Sequence, residues 1–193
     1  MRHAVFLDRD GVINRAVVRN GKPHPPADLS ELEILPGVAA ALARLQAAGY
    51  LLIVVTNQPD VARGTTPRRT VDAIHEALLA RLPLDTVLTC FHDDADHCDC
   101  RKPRPGLLFE ARDIFDIELA GSFMVGDRWR DTEAGTNAGC RTVFIDHHYD
   151  EPQGSGRRDF ICASLYEAAT WILKTTQGRE TDVDRPAQSE DLR

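Results

Sequence analysis

Tyr50-Leu51-Leu52-Ile53-Val54-Val55-Thr56-Asn57-Gln58 is the stretch that decides the fold. From Tyr50 to Val55 it is unbroken and apolar, with no polar residue alternating in. A strand that hides both faces reads this way, as the central strands of a parallel sheet do. The run then stops on a hydroxyl and two amides. It is far too short to cross a membrane.

Working outward, the flanks carry helical spacing. Pro36 to Ala48 starts on proline, puts Val38, Leu42 and Leu45 on one face and stops at Gly49. Pro67 to Leu82 repeats the pattern with Val71, Ile74, Leu78 and Leu82. Ala4 to Leu7, Thr86 to Thr89, Ser122 to Val125 and Thr142 to Ile145 read as further strands. Pro105 to Phe115, Asp131 to Ala138 and Ser164 to Leu173 read as helices. Such alternation predicts an α/β fold: a doubly wound, Rossmann-like, mostly parallel sheet with helices on both faces. The segment from Asn14 to Leu35 is too short for a lid domain and is expected to be a loop at the mouth of a cleft. The expected organisation is one domain over 1–174 and a polar, mobile tail over 175–193.

The chain has 193 residues, with 30 acidic side chains against 23 basic ones and a formal net charge of -7. That balance lacks the basic footprint of a nucleic-acid or anionic-membrane partner. It leaves room for a small phosphorylated metabolite held by a few focused cations. The N-terminal apolar stretch is short and runs into acids, unlike a secretory leader. The expectation is a cytoplasmic monomer. Five cysteines are an odd number, and three of them crowd into residues 90–100. In a reducing compartment this favours metal ligation over disulfides.

Ligands of doubly wound sheets bind at the carboxyl ends of the strands. The polar residues of interest fall there. Asp8 and Asp10 follow the first strand, with Gly11 permitting a tight turn. Two such acids repel each other and call for a hard cation of the Mg²⁺ kind. Asp127 would complete that site, and Asp131, one helical turn on, would orient a water or a neighbour. Thr56, Asn57 and Gln58 offer uncharged hydrogen bonds to phosphate oxygens. Arg101 and Lys102 precede a helix N-terminus, where cations and dipole both favour an anion. Each segment alone also has a plainer reading: an acidic turn, a strand cap, a solvated basic turn, a helix N-terminus.

Cys90, His92, Cys98 and Cys100 supply three thiols and an imidazole within eleven residues. This Cys₃His set suits a closed, tetrahedral, structural Zn²⁺, with His97 as a competing imidazole and a metal-free thiol cluster as the alternative. The loop runs into Arg101-Lys102, so zinc would fix both cations. Cys140 and Cys162 read as buried thiols.

The four segments, in this order and on these elements, resemble the haloacid dehalogenase superfamily of phosphohydrolases. The resemblance covers Ala4 to about Ile145. It implies that Asp8 is the nucleophile forming an aspartyl-phosphate and that Asp10 is the general acid, then base. It implies that Thr56 and Lys102 bind phosphate, and that Mg²⁺ is held by the Asp8 carboxylate, the Asp10 backbone carbonyl and Asp127. The zinc loop narrows the resemblance to the histidinol-phosphate and heptose-bisphosphate phosphatases. That group shares a DxDG(T/V)xN stretch (here Asp8 to Asn14), a TNQxxxARG stretch (Thr56 to Gly64) and a loop ending in CRKP (Cys90 to Pro103), and it has no large cap domain. Pro59-Asp60, Phe91 and Arg128 depart from the group's usual Ser-Gly, Pro and Lys. Heptose 1,7-bisphosphate is the favoured substrate, histidinol phosphate the alternative. A bisphosphate needs a second cationic contact, for which Arg63, Arg15 and Arg19 are candidates, while Arg128 borders the pocket. A non-catalytic zinc module is the rival class; it needs a basic surface and no acidic cluster.

Overall fold

The computed structural model describes residues 1–19, 21–152 and 154–183. In chain order the elements are β1 (Ala4–Leu7), a hairpin of β2 (Val17–Arg19) and β3 (Lys22–His24), α1 (Val38–Ala47), β4 (Leu51–Asn57), α2 (Arg68–Arg81), β5 (Thr86–Cys90), α3 (Gly106–Phe115), β6 (Phe123–Gly126), α4 (Trp129–Ala138), β7 (Arg141–Ile145), β8 (Phe160–Cys162) and α5 (Leu165–Val183). Six strands form one sheet in the order β5-β4-β1-β6-β7-β8. Every pairing within it is parallel.

The continuous apolar runs are buried on both faces because two helical layers cover the sheet. Val5, Leu7, Leu52 and Val54 pack with α1, α2 and α5, through residues such as Leu42, Ile74 and Ile172. Their alternates Ala4, Phe6, Leu51, Ile53 and Val55 pack with α3 and α4, through Leu108, Ala111 and Ala134. This is the period of two of a strand, applied to a sheet with no wet face.

The chain leaves β1 toward β4 and β5, then returns across to β6. The strand order therefore reverses beside β1, and a crevice opens above the carboxyl ends of β1, β4 and β6. Asp8 is anchored there by its own N–H, which donates to the Val125 carbonyl at 2.9 Å.

Three elements differ from the sequence reading. The expected loop from Asn14 to Leu35 holds the antiparallel hairpin β2–β3 and a 3₁₀ turn over Leu29–Glu31. It is still far short of a cap domain. The edge strand β8 goes unforeseen: it has three residues, and Ile161 is 52% exposed, so it shows no buried pattern. Helix α5 runs to Val183, past Leu173; the expected tail overlaps it over 175–183, and its remainder, 184–193, lies outside the described residues. Among the described residues no helix is long and apolar enough to cross a membrane.

Candidate active site

The centre of the crevice is a buried ammonium among buried acids. Lys102 Nζ donates to Asp8 Oδ1 at 2.7 Å and to the Val55 carbonyl at 2.7 Å, and it lies 2.6 Å from Asp131 Oδ1. Asp8, Asp131 and Lys102 are all at least nine-tenths buried. Burial alone would lower the Lys102 pKa, but the charges of Asp131 and Asp8 outweigh it and raise it. Lys102 is thus firmly cationic.

Asp127, at the end of β6, is 2% exposed, and neither of its carboxylate oxygens accepts a well-formed hydrogen bond. Burial first, and then the charges of Asp8 and Asp131, push its pKa well above the ordinary carboxylate range. Carboxylate oxygens of Asp8, Asp127 and Asp131 all lie within 4.8 Å of one another. Three buried acids against one lysine leave a charge deficit, and the two Asp127 oxygens, with the Tyr149 hydroxyl as a neighbour, have no well-formed donor. Both observations fit a divalent cation with oxygen ligands. Gly11 makes room for this: its φ is +89°, and a Cβ there would fall 1.8 Å from Asp127 Oδ2. A glycine is required by space and by conformation alike.

Asp10 faces elsewhere. Its carboxylate accepts from Arg9 Nε at 3.1 Å and Nη2 at 2.8 Å, from Asn14 Nδ2 at 2.9 Å and from Gln58 Nε2 at 2.9 Å. Burial would raise its pKa, but the Arg9 charge and these donors hold it below the ordinary value. Arg9 is itself fully buried and donates to His75 Nε2 at 3.0 Å. Burial, then the Arg9 charge, depress His75 to about 4, so the imidazole is neutral and accepts.

The sequence-named contacts divide into those that face the crevice with free groups and those already engaged. Thr56 is 1% exposed, and its hydroxyl oxygen accepts from Gln58 Nε2 at 2.9 Å while lining the crevice. Asn57 donates to the Lys102 carbonyl at 3.0 Å and accepts from the Lys102 N–H at 3.1 Å. Its amide clamps the backbone of Lys102 with the oxygen and one N–H, so it supports the cation, and its second N–H is left for the crevice it lines. Gln58 similarly spends its amide on Asp10 and Thr56. Arg63 forks onto Asp93 at 2.8 and 2.6 Å and touches Asp60 at 3.3 Å. Arg128 forks onto Glu151, with Nε 3.0 Å from Oε2. Arg15 pairs with Glu33 at the surface, and neither Arg15 nor Arg19 lines the crevice. Those two candidate contacts are therefore set aside. The sequence reading also overlooks Lys22, Pro23 and His24 of the hairpin and Arg130 of α4, all of which line the crevice of about 260 Å³. Arg130 stands two residues after the noted Arg128; the hairpin residues carry no sequence signal.

A second cluster lies in the loop that runs into Arg101 and Lys102. The Cys90 and Cys98 sulfurs are 3.7 Å apart, Cys98 and Cys100 3.4 Å, with His92 Nδ1 3.6 Å from Cys90 Sγ and 3.3 Å from Cys100 Sγ. A tetrahedral zinc with ordinary bond lengths has ligand-to-ligand edges of about 3.5–3.8 Å. These four edges are within a few tenths of an ångström of that frame, and all the donor atoms lie within 4.8 Å of one another. His97, which follows a 3₁₀ turn over Asp94–Asp96 in this loop, is outside the cluster.

Residues 99–168 match the family model of HAD-hydrolase-like proteins. The chain is 35% identical over 184 residues to D-glycero-beta-D-manno-heptose-1,7-bisphosphate 7-phosphatase of Salmonella typhi, covering 89% of this chain and 90% of that protein. It is 40% identical over 155 residues to the Vibrio cholerae protein of the same name, covering 74% and 80%. Its fold is similar to the crystal structure of the D,D-heptose 1,7-bisphosphate phosphatase of Bordetella bronchiseptica complexed with magnesium and phosphate. That match has a TM-score of 0.73 and 32% identity, and covers 91% of this chain and 99% of that one.

Proposed function

Because the chain belongs to the haloacid dehalogenase-like hydrolases and is a phosphatase, we propose that it hydrolyses a heptose 1,7-bisphosphate through an aspartyl-phosphate on Asp8. The phosphate removed is the one at position 7, on a route to nucleotide-activated heptose, as the names of the relatives suggest. The observation that carries this reading is the convergence of Asp8, Asp127 and Asp131 on one buried lysine, with the Asp127 oxygens unpartnered.

The Asp8 and Asp127 carboxylates and the Asp10 backbone carbonyl would hold Mg²⁺, which when bound supplies charge to offset the phosphate dianion. Asp131, bonded to Lys102, stands behind them. An Asp8 oxygen attacks phosphorus, and the bond to the leaving sugar oxygen breaks. Asp10, ionised in the free site, first takes a proton from solvent as the phosphate dianion enters and then gives it to that oxygen. The Asp10 carboxylate then takes a proton from a water that attacks the aspartyl-phosphate, releasing phosphate and restoring Asp8. The donors around Asp10 favour its ionised form, which is the form the second half needs. Lys102 and the Thr56 hydroxyl face the phosphate oxygens, where charge develops in the transition state.

The test is phosphate release with Mg²⁺ from both anomers of heptose 1,7-bisphosphate and from histidinol phosphate. One heptose anomer should exceed histidinol phosphate by at least about tenfold in kcat/KM, and a chelator should abolish turnover. Preference for histidinol phosphate would overturn the substrate, and full turnover after metal removal the ion.

Zinc in the Cys90, His92, Cys98 and Cys100 cluster would be structural, since all four positions are filled by protein. It anchors the loop whose next residues are Arg101 and Lys102. Asn57 holds Lys102 independently, so the loss should be partial. Cys98→Ser is expected to drop zinc content from about one per chain and to lower kcat about 10–100-fold. Metal analysis and kinetics on the purified variant check this; full zinc retention would contradict the assignment.

A further inference from the structure

We propose that Arg130, held against Arg101 by Asp94, is the residue that selects a second, distal phosphate on the substrate. The proposal rests on the phosphatase reading above and adds the group that recognises the far end of a bisphosphate.

What separates the candidate cations is how many of their donors are already spent. Four arginines line the crevice: Arg63, Arg101, Arg128 and Arg130. Arg63 is neutralised by a two-pronged bond to Asp93 and a contact to Asp60. Arg128 is neutralised by a two-pronged bond to Glu151. Arg101 and Arg130 differ, because they share a single carboxylate oxygen. Asp94 Oδ1 accepts from Arg101 Nε at 2.8 Å and from Arg130 Nη1 at 3.1 Å. Arg63, Arg101 and Arg130 together face Asp60, Asp93 and Asp94, so the charges balance, but two guanidiniums on one carboxylate oxygen leave most of their N–H donors unspent at the crevice.

Those donors are pre-arranged. Arg101 is only 11% exposed and Arg130 27% exposed, whereas Asp94 is 58% exposed. Arg101 also donates to the His92 carbonyl at 3.3 Å, and the Arg130 guanidinium lies over the Trp129 ring, 4.9 Å from its centroid. The two guanidinium planes come from different elements, the zinc loop and the first turn of α4. A phosphate has three oxygens to spread over such a pair, and guanidinium forks match that geometry better than a lone ammonium. Lys22, on the hairpin, makes no ion pair among the described residues, but it is exposed and carries only a screened point charge. Asp94 is a positioning residue here: it draws the two guanidiniums together without meeting the substrate.

The experiment compares steady-state kinetics on heptose 1,7-bisphosphate and on heptose 7-phosphate. Arg130→Leu should raise KM for the bisphosphate about 10–100-fold, and at least about tenfold more than for the monophosphate, with the loss in KM rather than kcat. Arg130→Lys should recover part of it. Asp94→Asn should shift the same ratio about threefold or more with zinc content kept, and Asp94→Glu should restore it. An equal effect of Arg130→Leu on both substrates, or a bisphosphate preference that follows Lys22→Met instead, overturns this inference alone. Turnover by the wild type of the monophosphate but not the bisphosphate overturns both this inference and the substrate assignment.

Discussion

Asp8→Asn is expected to reduce phosphate release by ~10⁴-fold or more while the protein stays folded. An amide of the same size has no anionic oxygen to attack phosphorus, and the other groups cannot replace it. The fold should tolerate the change because the carboxylate is a burden on it. Burial first, and then the charges of Asp131 and Asp10, raise the Asp8 pKa to about 6, with Lys102 pulling the other way. A carboxyl raised in the folded state contributes stability that is fully present below the unfolded value near 3.8 and is lost as pH rises through about 6. Without metal, the wild type should therefore lose stability across that window, by on the order of 2 kcal/mol after allowing for its coupling to Lys102. The Asn variant has no such proton to lose. Its metal-free melting temperature at pH 7–8 should equal or exceed that of the wild type, and added Mg²⁺ should stabilise it less. Melts over pH 4–8 with and without Mg²⁺, beside a phosphate-release assay, read both effects. Turnover near the wild-type rate would remove Asp8 from the nucleophile's place.

How far the site was legible depends on where each residue gets its partners. Asp8, Thr56 and Asp127 follow apolar strands directly, and a parallel sheet delivers every strand end to the same crevice. Local pattern was enough for them. The Cys₃His cluster was legible because four donors within eleven residues leave little freedom of arrangement. The protein partners of Asn57 and Gln58 were not legible, because the direction of an amide beyond a strand end is set by neighbours distant in sequence: Lys102 for one, Asp10 for the other. Arg63 and Arg128 looked like free cations because the acids that neutralise them lie 30 and 23 residues away.

The missed elements were short rather than subtle. The strands of the hairpin have three residues each, and Pro23 interrupts the second. No period can be read from three residues, and proline demotes a strand. Yet this hairpin brings Lys22 and His24 to the crevice. The rival reading as a non-catalytic zinc module fails on electrostatics. It gives no reason for three mutually repelling buried acids, whereas a catalytic centre needs such a concentration of charge.

Lys102→Met tests the same centre from the opposite sign. Methionine fills much of the same volume but removes the only cation bonded to both Asp8 and Asp131 among the described residues. Two buried carboxylates would then face each other with no counter-charge, and the Val55 carbonyl would lose its donor. Breaking a buried ion pair by deleting one partner typically costs about 3–5 kcal/mol. Part of that should be avoided by protonation of the acids, so the variant should be most impaired at neutral pH and recover as pH falls. Mg²⁺ should stabilise it more than it stabilises the wild type, because the unbalanced acids bind the ion with one competing cation gone. Activity should still fall by ~10³-fold with saturating Mg²⁺, since the charge facing the phosphate oxygens is missing when the transition state forms. Thermal melts against pH and Mg²⁺ separate the two effects from phosphate release. A variant that melts like the wild type at neutral pH without metal would mean that Lys102 does not balance these acids, and the electrostatic account of the site would fall with it.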